Sequence, residues 1–208
     1  MNPKDLLVRN IENHIRHNLE RIGFNFSKAK IVFEKNNKGF IQTFTFCLSN
    51  GNGEDCCEFW TSWSIRSQEY SKWHLKQYGI EAPNDSIWLR MDWDIPGWSV
   101  GAGHYQLKNI TDDKLKIDQL KRDILERGIP ELAKNSNWNQ AAKAATEDAP
   151  FYLKACELYL IAGNLQDAKA IAETGIKRIK EGELPDQLGQ LQNLEKLVGQ
   201  ISLENRGK

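Results

Sequence analysis

The chain has 208 residues, of which 40% are hydrophobic and 27% are charged, and this ordinary globular composition excludes a disordered chain. Its 28 basic and 28 acidic side chains cancel, so the basic surplus that is typical of nucleic-acid-binding proteins is absent. The charge is uneven along the chain, because residues 1–50 hold 8 basic and 4 acidic side chains and residues 51–100 hold 4 basic and 8 acidic ones.

The sequence favours a protein of the reducing cytoplasm. No apolar run approaches the roughly 18 residues of a membrane-spanning helix, and residues 1–20 are amphipathic and charged, unlike a signal peptide. The four cysteines are Cys47, Cys56, Cys57 and Cys156, and no two of them have CxxC spacing. Neither a disulfide framework nor a zinc site is therefore indicated, and we expect free thiols, a cytoplasmic location and no membrane partner.

The first predicted element is an amphipathic helix. Asn2 can cap its start, and Pro3 suits the first helical position. Its apolar stripe at helical spacing consists of Leu7, Ile11, Ile15, Leu19 and Ile22. Gly23 can adopt the left-handed conformation that ends a helix, and Phe24 can then fold back on the last turn.

A β region follows. Its predicted strands are residues 31–35, 40–48, 55–66, 86–93 and a short one near 103–108. The first two flank the turn at residues 36–39, which predicts a hairpin. Alternating side chains predict a core face that carries Phe44, Phe46, Phe59, Trp63 and Leu89 and packs on the first helix. In the strand at 86–93 this places Ile87, Leu89, Met91 and Trp93 inside, and Trp88, Arg90 and Asp92 outside.

Helical signals dominate from Thr111 onward. Gly128 is predicted to stop a helix, with Pro130 preventing its continuation. Three further helices are predicted at residues 149–162, 165–181 and 185–203, the last with Leu188 in its apolar stripe. The sequence thus predicts an α+β domain at residues 1–134, with a helix on a mainly antiparallel sheet of four to five strands. An all-helical C-terminal unit at 135–208 follows, and the Asn- and Ser-containing stretch 134–148 is the expected linker.

The C-terminal part resembles a single tetratricopeptide-type helix pair. The resemblance covers residues 152–179, and the positions that carry it are Tyr152, Tyr159, Gly163, Ala168 and Ala172. Cys156 and Gly175 depart from the residues usual in that repeat. Because a solenoid needs about three repeats and the sequence holds one, the resemblance implies a helical addition to the first domain.

The N-terminal part is similar to a bacterial family of α+β domains, the domain of unknown function 4304. The similarity rests on LERIGF at 19–24, FEKNNKGFIQTFTF at 33–46 and IDQLKRDILERGIPEL at 117–132. Proteins of this kind are considered alongside the immunity proteins of bacterial toxin systems. The resemblance therefore implies a protein partner, with a basic toxin as one such partner, and assigns no catalytic residue.

No motif predicts a catalytic centre, a cofactor or a metal ion. His14 and His17 lie three residues apart on the first helix, but no third ligand accompanies them, and His74 and His104 are isolated. The Cys56–Cys57 thiols should point to opposite sheet faces. Asp92 and Asp94 flank Trp93, and paired carboxylates beside tryptophan are typical of glycosidases, although turn residues of this type are far more common.

The seven tryptophans are the unusual feature of the composition. Trp60 and Trp88 are out of phase with the apolar residues of their strands, and Glu58, Arg90 and Asp92 share that face. If the face is open to solvent, these five residues form a partner-binding surface. If the C-terminal helices cover it, both rings belong to the core.

The sequence therefore predicts a non-catalytic protein-binding module, with a toxin-neutralising immunity protein as the specific hypothesis. The acidic, tryptophan-bearing middle of the chain would suit a basic protein, because opposite potentials speed and orient association. Two alternatives stay open: a carbohydrate- or small-ligand-binding module with tryptophan platforms, and an enzyme whose site is assembled from scattered residues.

Overall fold

A computed structural model gives the fold. It describes residues 2–53, 56–82, 86–100, 105–108, 112–147, 150–186 and 189–204. His104, Thr111 and Leu188, which were assigned roles from the sequence, lie outside the described residues. The chain is an α+β protein that divides into two compact units. Unit 1 comprises residues 1–68 and 89–134, and unit 2 comprises residues 69–88 and 135–208.

The helices of unit 1 begin with α1 and α2, which are Pro3–His14 and Arg16–Arg21. Asn2 caps α1 as predicted, since its side chain accepts a hydrogen bond from the Lys4 backbone N–H at 2.9 Å. The predicted stop at Gly23 is also confirmed, because Gly23 has a φ of +92° and the Phe24 N–H returns to the Leu19 carbonyl at 3.1 Å. The two helices share the predicted buried stripe through Leu19.

The sheet has six strands among the described residues, one more than the most we predicted. They are β1 (Asn25–Ser27), β2 (Val32–Asn37), β3 (Phe40–Leu48), β4 (Cys57–Ser67), β5 (Ser86–Met91) and β6 (Tyr105–Leu107). Their order is β1-β2-β3-β4-β5, and β6 also pairs with β4. The pairs whose register is defined, β1–β2, β2–β3, β3–β4 and β4–β6, are all antiparallel, as predicted.

The β2–β3 hairpin closes through Lys38 and Gly39. Both residues have positive φ angles, +52° and +88°, which is the two-residue turn whose twist matches that of the flanking strands. This turn fixes the register that pairs Asn37 with Phe40. The predicted hairpin is therefore confirmed, and every later pairing of these strands follows from its turn.

A row of aromatic rings crosses the buried face of the sheet. Register pairs Phe26 with Phe33, Phe33 with Phe44, and Phe44 with Trp63. Successive ring centroids lie 4.7, 4.9 and 4.5 Å apart in stacked geometry. Helix α1 packs against β4, so the predicted core face is confirmed for Phe44, Phe46, Phe59 and Trp63. Leu89 was wrongly placed there, since it is 50% exposed.

The helix that completes unit 1 does not stop at Gly128. Helix α4 (Asp112–Asp123) continues through a π-helical turn at Ile124–Gly128 into α5 (Ile129–Asn135). Pro130 is the second residue of α5 and follows the π-helical turn directly, so it lies inside the continuous helix and lacks the N–H that a regular helical bond there would use. Gly128 serves close packing instead, because a Cβ built there would lie 2.2 Å from the Trp63 ring. The predicted glycine stop is therefore wrong.

The helices of unit 2 are α3 (Gln68–Tyr78, from Glu69 onward), α6 (Trp138–Glu147), α7 (Tyr152–Ile161), α8 (Leu165–Lys180) and α9 (Gln190–Glu204). The last three match the predicted helices, whereas α6 occupies the stretch expected to be a linker. Ala141 and Ala142 of α6 are almost fully buried, which accounts for the small residues of that stretch. None of the helices, over the stretches that could be described, is long and apolar enough to cross a membrane.

Candidate functional site

Trp60 and Glu58 lie on the second face of β4, as their phase predicted. Strand β4 alternates perfectly, with Cys57, Phe59, Thr61, Trp63 and Ile65 buried and their neighbours half-buried. Trp60 pairs across the sheet with Cys47 of β3, and Glu58 pairs with Gln106 of β6. Asn52 fixes this end of β4, since its side-chain amide donates to the Glu58 carbonyl at 2.9 Å.

Strand β5 agrees with the predicted faces at Ile87 but reverses them at Trp88 and Leu89. Trp88 is only 6% exposed and Ile87 only 3%, whereas Leu89 is 50% exposed and Trp93, just beyond the strand, is 39% exposed. Arg90 is half-buried, and its guanidinium donates to the Leu89 carbonyl at 2.7 Å. The prediction that Trp88 faces outward and Leu89 inward is therefore wrong. Two adjacent buried apolar residues break the alternation from which the faces were inferred.

Asp92 is a buried structural carboxylate. It is 1% exposed, and its Oδ2 accepts from the Thr61 backbone N–H at 2.6 Å and from the Thr61 hydroxyl at 3.1 Å. The Thr61 hydroxyl in turn accepts from the Trp63 indole N–H at 2.8 Å. Asp92 was predicted to face outward, and this is wrong, because the strand ends at Met91 and a 3-10 turn at Asp92–Asp94 redirects the carboxylate onto β4.

Asp94 has a separate local role in the same turn. Its carboxylate accepts from the Met91 backbone N–H at 3.2 Å, and Asp94 itself is exposed. The two carboxylates therefore bond to different backbone segments. Asp92 bonds to β4, whereas Asp94 bonds to the Met91 N–H within its own turn. They do not form the facing pair of carboxylates that glycoside hydrolysis needs on two sides of a sugar ring.

Leu89 and Trp93 together form the candidate site, which we call the β5 apolar segment. Both belong to unit 1, and they lie on one continuous run of five residues with half-buried Arg90 and Met91 between them. Exposed Asp94 follows directly. Large exposed side chains beside charged groups have the composition of a binding surface, in which aromatic and arginine residues contribute most. The sequence predicted exposed tryptophans on two strands, but in the structure the exposed tryptophan near β5 is Trp93, just beyond the end of the strand.

A second buried carboxylate, Asp123, was not anticipated from the sequence. It is 4% exposed at the end of α4, just before the π-helical turn, and it accepts from the Ser99 hydroxyl and from Gln119 at 3.2 Å. Tyr105 lies 3.4 Å from the same carboxylate and accepts from the Trp98 indole at 2.7 Å. Burial first, and the Asp123 charge second, raise the pKa of Tyr105. This network ties β6 to α4.

The thiols of Cys47, Cys57 and Cys156 are poorly disposed to react. Burial raises the pKa of Cys57 to about 12 and that of Cys156 to about 12. Burial also raises the pKa of Cys47, with the Asp92 charge acting in the same direction. Since the thiolate is the nucleophile, these shifts disfavour cysteine chemistry. His14 is half-buried and His17 exposed, and no group of three metal-ligating side chains occurs within the described ranges.

Fold and site together define a class: an α+β protein with a helical unit and an exposed apolar segment at the end of one strand. Comparisons with protein-family models, with curated proteins and with solved structures find no match. The similarities to the domain of unknown function 4304 and to a tetratricopeptide-type helix pair thus remain predictions from the sequence.

Proposed function

We propose that the protein is a non-catalytic protein-binding module, with neutralisation of a basic toxin as its specific role. The observation that carries the proposal is the exposure of Leu89 and Trp93 on the β5 apolar segment. Large apolar side chains that stay accessible within one short segment of a folded surface commonly mark a binding site. The family resemblance supplies the toxin as the partner, and the cysteine pattern and charged N-terminus supply the cytoplasm as the compartment.

The proposed binding surface contains different residues from the surface predicted from the sequence, but both are apolar surfaces with charged neighbours. Trp60, Glu58 and Arg90 are half-buried and can contribute to contacts, whereas Trp88 and Asp92 are buried and are assigned none. Because the Asp92 carboxylate bonds to Thr61 inside the fold, it cannot make a direct contact with a partner. The apolar pair therefore supplies most of the affinity in this proposal, and the remaining acidic groups supply a smaller share of the association rate.

The test measures binding to the protein encoded by the neighbouring gene by isothermal titration calorimetry. Trp93→Ala and Leu89→Ala should each raise Kd, Trp93→Ala by roughly 30-fold, which is the effect of a hot-spot residue of about 2 kcal/mol. Leu115→Ala is the matched control, because Leu115 is also in unit 1 and is 72% exposed, but it stands alone on α4. Equal affinities for all three variants would refute the proposed surface.

A second function, binding of a small ligand, is favoured by one cavity of unit 2. Its volume is about 280 Å³, and its walls include Phe151, Tyr152, Ile179 and Leu184. Aromatic and aliphatic walls are typical of ligand pockets, although this volume lies at the small end of their range. Ile179→Trp would fill the cavity, so loss of a ligand's binding in this variant and not in Trp93→Ala would favour this alternative.

A further inference from the structure

Within unit 2, helix α3 contacts α7 through polar aromatic side chains. Tyr70, His74 and Tyr78 recur at intervals of four residues, so they share one face of the helix. Tyr70 is 3% exposed and His74 is 9% exposed, whereas the helix's sole aliphatic residue, Leu75, is 46% exposed. The inward face of α3 therefore lacks the aliphatic side chains that normally hold a helix permanently in place.

Glu157 of α7 accepts a hydrogen bond from each of the two α3 tyrosines. The Tyr70 hydroxyl donates to its Oε2 at 2.7 Å, and the Tyr78 hydroxyl donates to its Oε1 at 2.9 Å. Glu157 is only 3% exposed, so these two donors replace the water that a carboxylate would otherwise bind. The pKa of each tyrosine is raised by burial first and by the Glu157 charge second.

Further contacts of α3 with α7 and α9 are polar as well. The Gln77 side chain donates to Gln200 of α9 at 2.7 Å. The Lys154 ammonium lies 4.1 Å from the Tyr70 ring centroid, and the Lys196 ammonium lies 5.9 Å from that of Tyr78. Each of these groups can exchange its protein partner for water, so losing the contact costs far less than exposing an aliphatic core.

The packing among α7, α8 and α9 is of the opposite kind. Its buried residues are mostly apolar: Tyr152, Cys156, Ala168, Ala172, Leu194, Leu197 and Ile201. Gly175 permits close approach here, because a Cβ at that position would lie 2.6 Å from the Tyr152 Cβ. Separating these helices would expose apolar surface, at about 25 cal/mol per Å².

We propose that α3 is a reversible strap, latched by Glu157, that opens from α7 while the α7–α8–α9 core stays folded. When closed, it covers the carboxylate with two hydroxyl groups. When open, it leaves a solvated carboxylate on α7 and exposes tyrosine, histidine and glutamine side chains that water can bind. Opening therefore requires less free energy than unfolding of the unit, which is the property of a segment that moves in the native state.

Hydrogen exchange of the full-length protein, followed by NMR at low concentrations of guanidinium chloride, tests this. Amides of α3 should exchange faster than those of α8, and their exchange should be nearly independent of denaturant because local opening exposes little surface. Glu157→Ala should accelerate α3 exchange by about 10-fold or more, since two buried hydroxyl groups lose their acceptor, and should change α8 exchange by less than about 2-fold. Tyr78→Phe, which deletes one donor, should give a smaller acceleration confined to α3.

Gly175→Ala is the control, because it disturbs the apolar core and should accelerate exchange in α7 and α8 as well as in α3. A common exchange rate and a common denaturant dependence for α3 and α8 in the wild-type protein would overturn the strap. The proposal would also be overturned if Tyr78→Phe, the mildest of these substitutions, accelerated amide exchange in α3 and α8 to the same extent.

Discussion

Replacing Gly128 with alanine would place a methyl group against the indole of Trp63. The Cβ would lie 2.2, 2.5 and 2.6 Å from three atoms of the ring's outer edge. Carbon atoms in contact normally lie about 3.5 Å apart or more, so the ring or the helix must retreat by about 1.3 Å. Gly128 is in the π-helical turn that joins α4 to α5, so the helix can retreat only by shifting both elements.

The ring of Trp63 has little freedom to move. It is fully buried, stacks on Phe44 with centroids 4.5 Å apart and meets Trp98 edge-on at 5.6 Å. Its indole N–H is bonded to the Thr61 hydroxyl at 2.8 Å. Overpacking of a filled core typically costs about 1–3 kcal/mol, while alanine in place of glycine in a helix contributes about 0.5–1 kcal/mol in the other direction. Because the overlap with the ring is severe, the overpacking cost should lie in the upper half of its range, and the net expectation is a loss of about 1–2.5 kcal/mol.

Urea denaturation followed by tryptophan fluorescence measures this difference through the midpoint, with an unchanged slope. Gly199→Ala is the matched control, because Gly199 lies in α9 and a methyl group added there would meet no atom within 4 Å. That variant should gain about 0.5–1 kcal/mol through helix propensity alone. If Gly128→Ala is as stable as wild type or gains stability like Gly199→Ala, the close-packing role of Gly128 is refuted.

Two further predictions concern the core and the strap. Phe46→Ala should lower the free energy of unfolding by roughly 3–5 kcal/mol, because Phe46 is 3% exposed among Phe33, Phe44 and Phe59, and a urea-measured loss under about 1 kcal/mol would contradict this. Burial raises the pKa of Tyr70 and Tyr78 in the folded protein, so the folded protein holds these two protons more tightly than the unfolded chain does. The resulting contribution to the free energy of unfolding is fully present below the unfolded-state pKa of about 10 and is lost as the pH rises beyond it. Stability should thus fall between about pH 9 and pH 11, less steeply in the double Phe variant, and equal slopes would contradict this.

The fold was largely predictable from local signals, because each signal had a single physical meaning. The Asn2 cap, the Gly23 stop and the turn before Phe40 each specify one backbone conformation, and all three are present. Strand β4 was predicted residue by residue, since its buried and half-buried side chains alternate without exception. Such alternation arises where one face of a central strand meets a core and the other does not.

Strand β5 shows why the candidate site was less predictable. Its six residues, Ser86–Met91, include four large apolar ones, so either of two phases places apolar residues inside. A shift of one residue would exchange the faces completely, but the structure follows neither phase throughout, because it buries both Ile87 and Trp88 and exposes Leu89. The prediction for Gly128 was wrong for a related reason. A glycine that leaves room for a neighbouring ring and a glycine that ends a helix cannot be told apart from the sequence.

Buried carboxylates with partners far along the chain, such as Glu157 and Asp92, could not be predicted from the sequence. Glu157 bonds to Tyr70, 87 positions away, and Asp92 bonds to Thr61, 31 positions away. No local pattern announces either bond, since each depends on which strands and helices become neighbours. Because Asp92 anchors β4, a change at Asp92 acts on stability before it acts on charge steering. The exposed residues Leu89, Trp93 and Asp94 are therefore where binding can be altered while the fold is preserved.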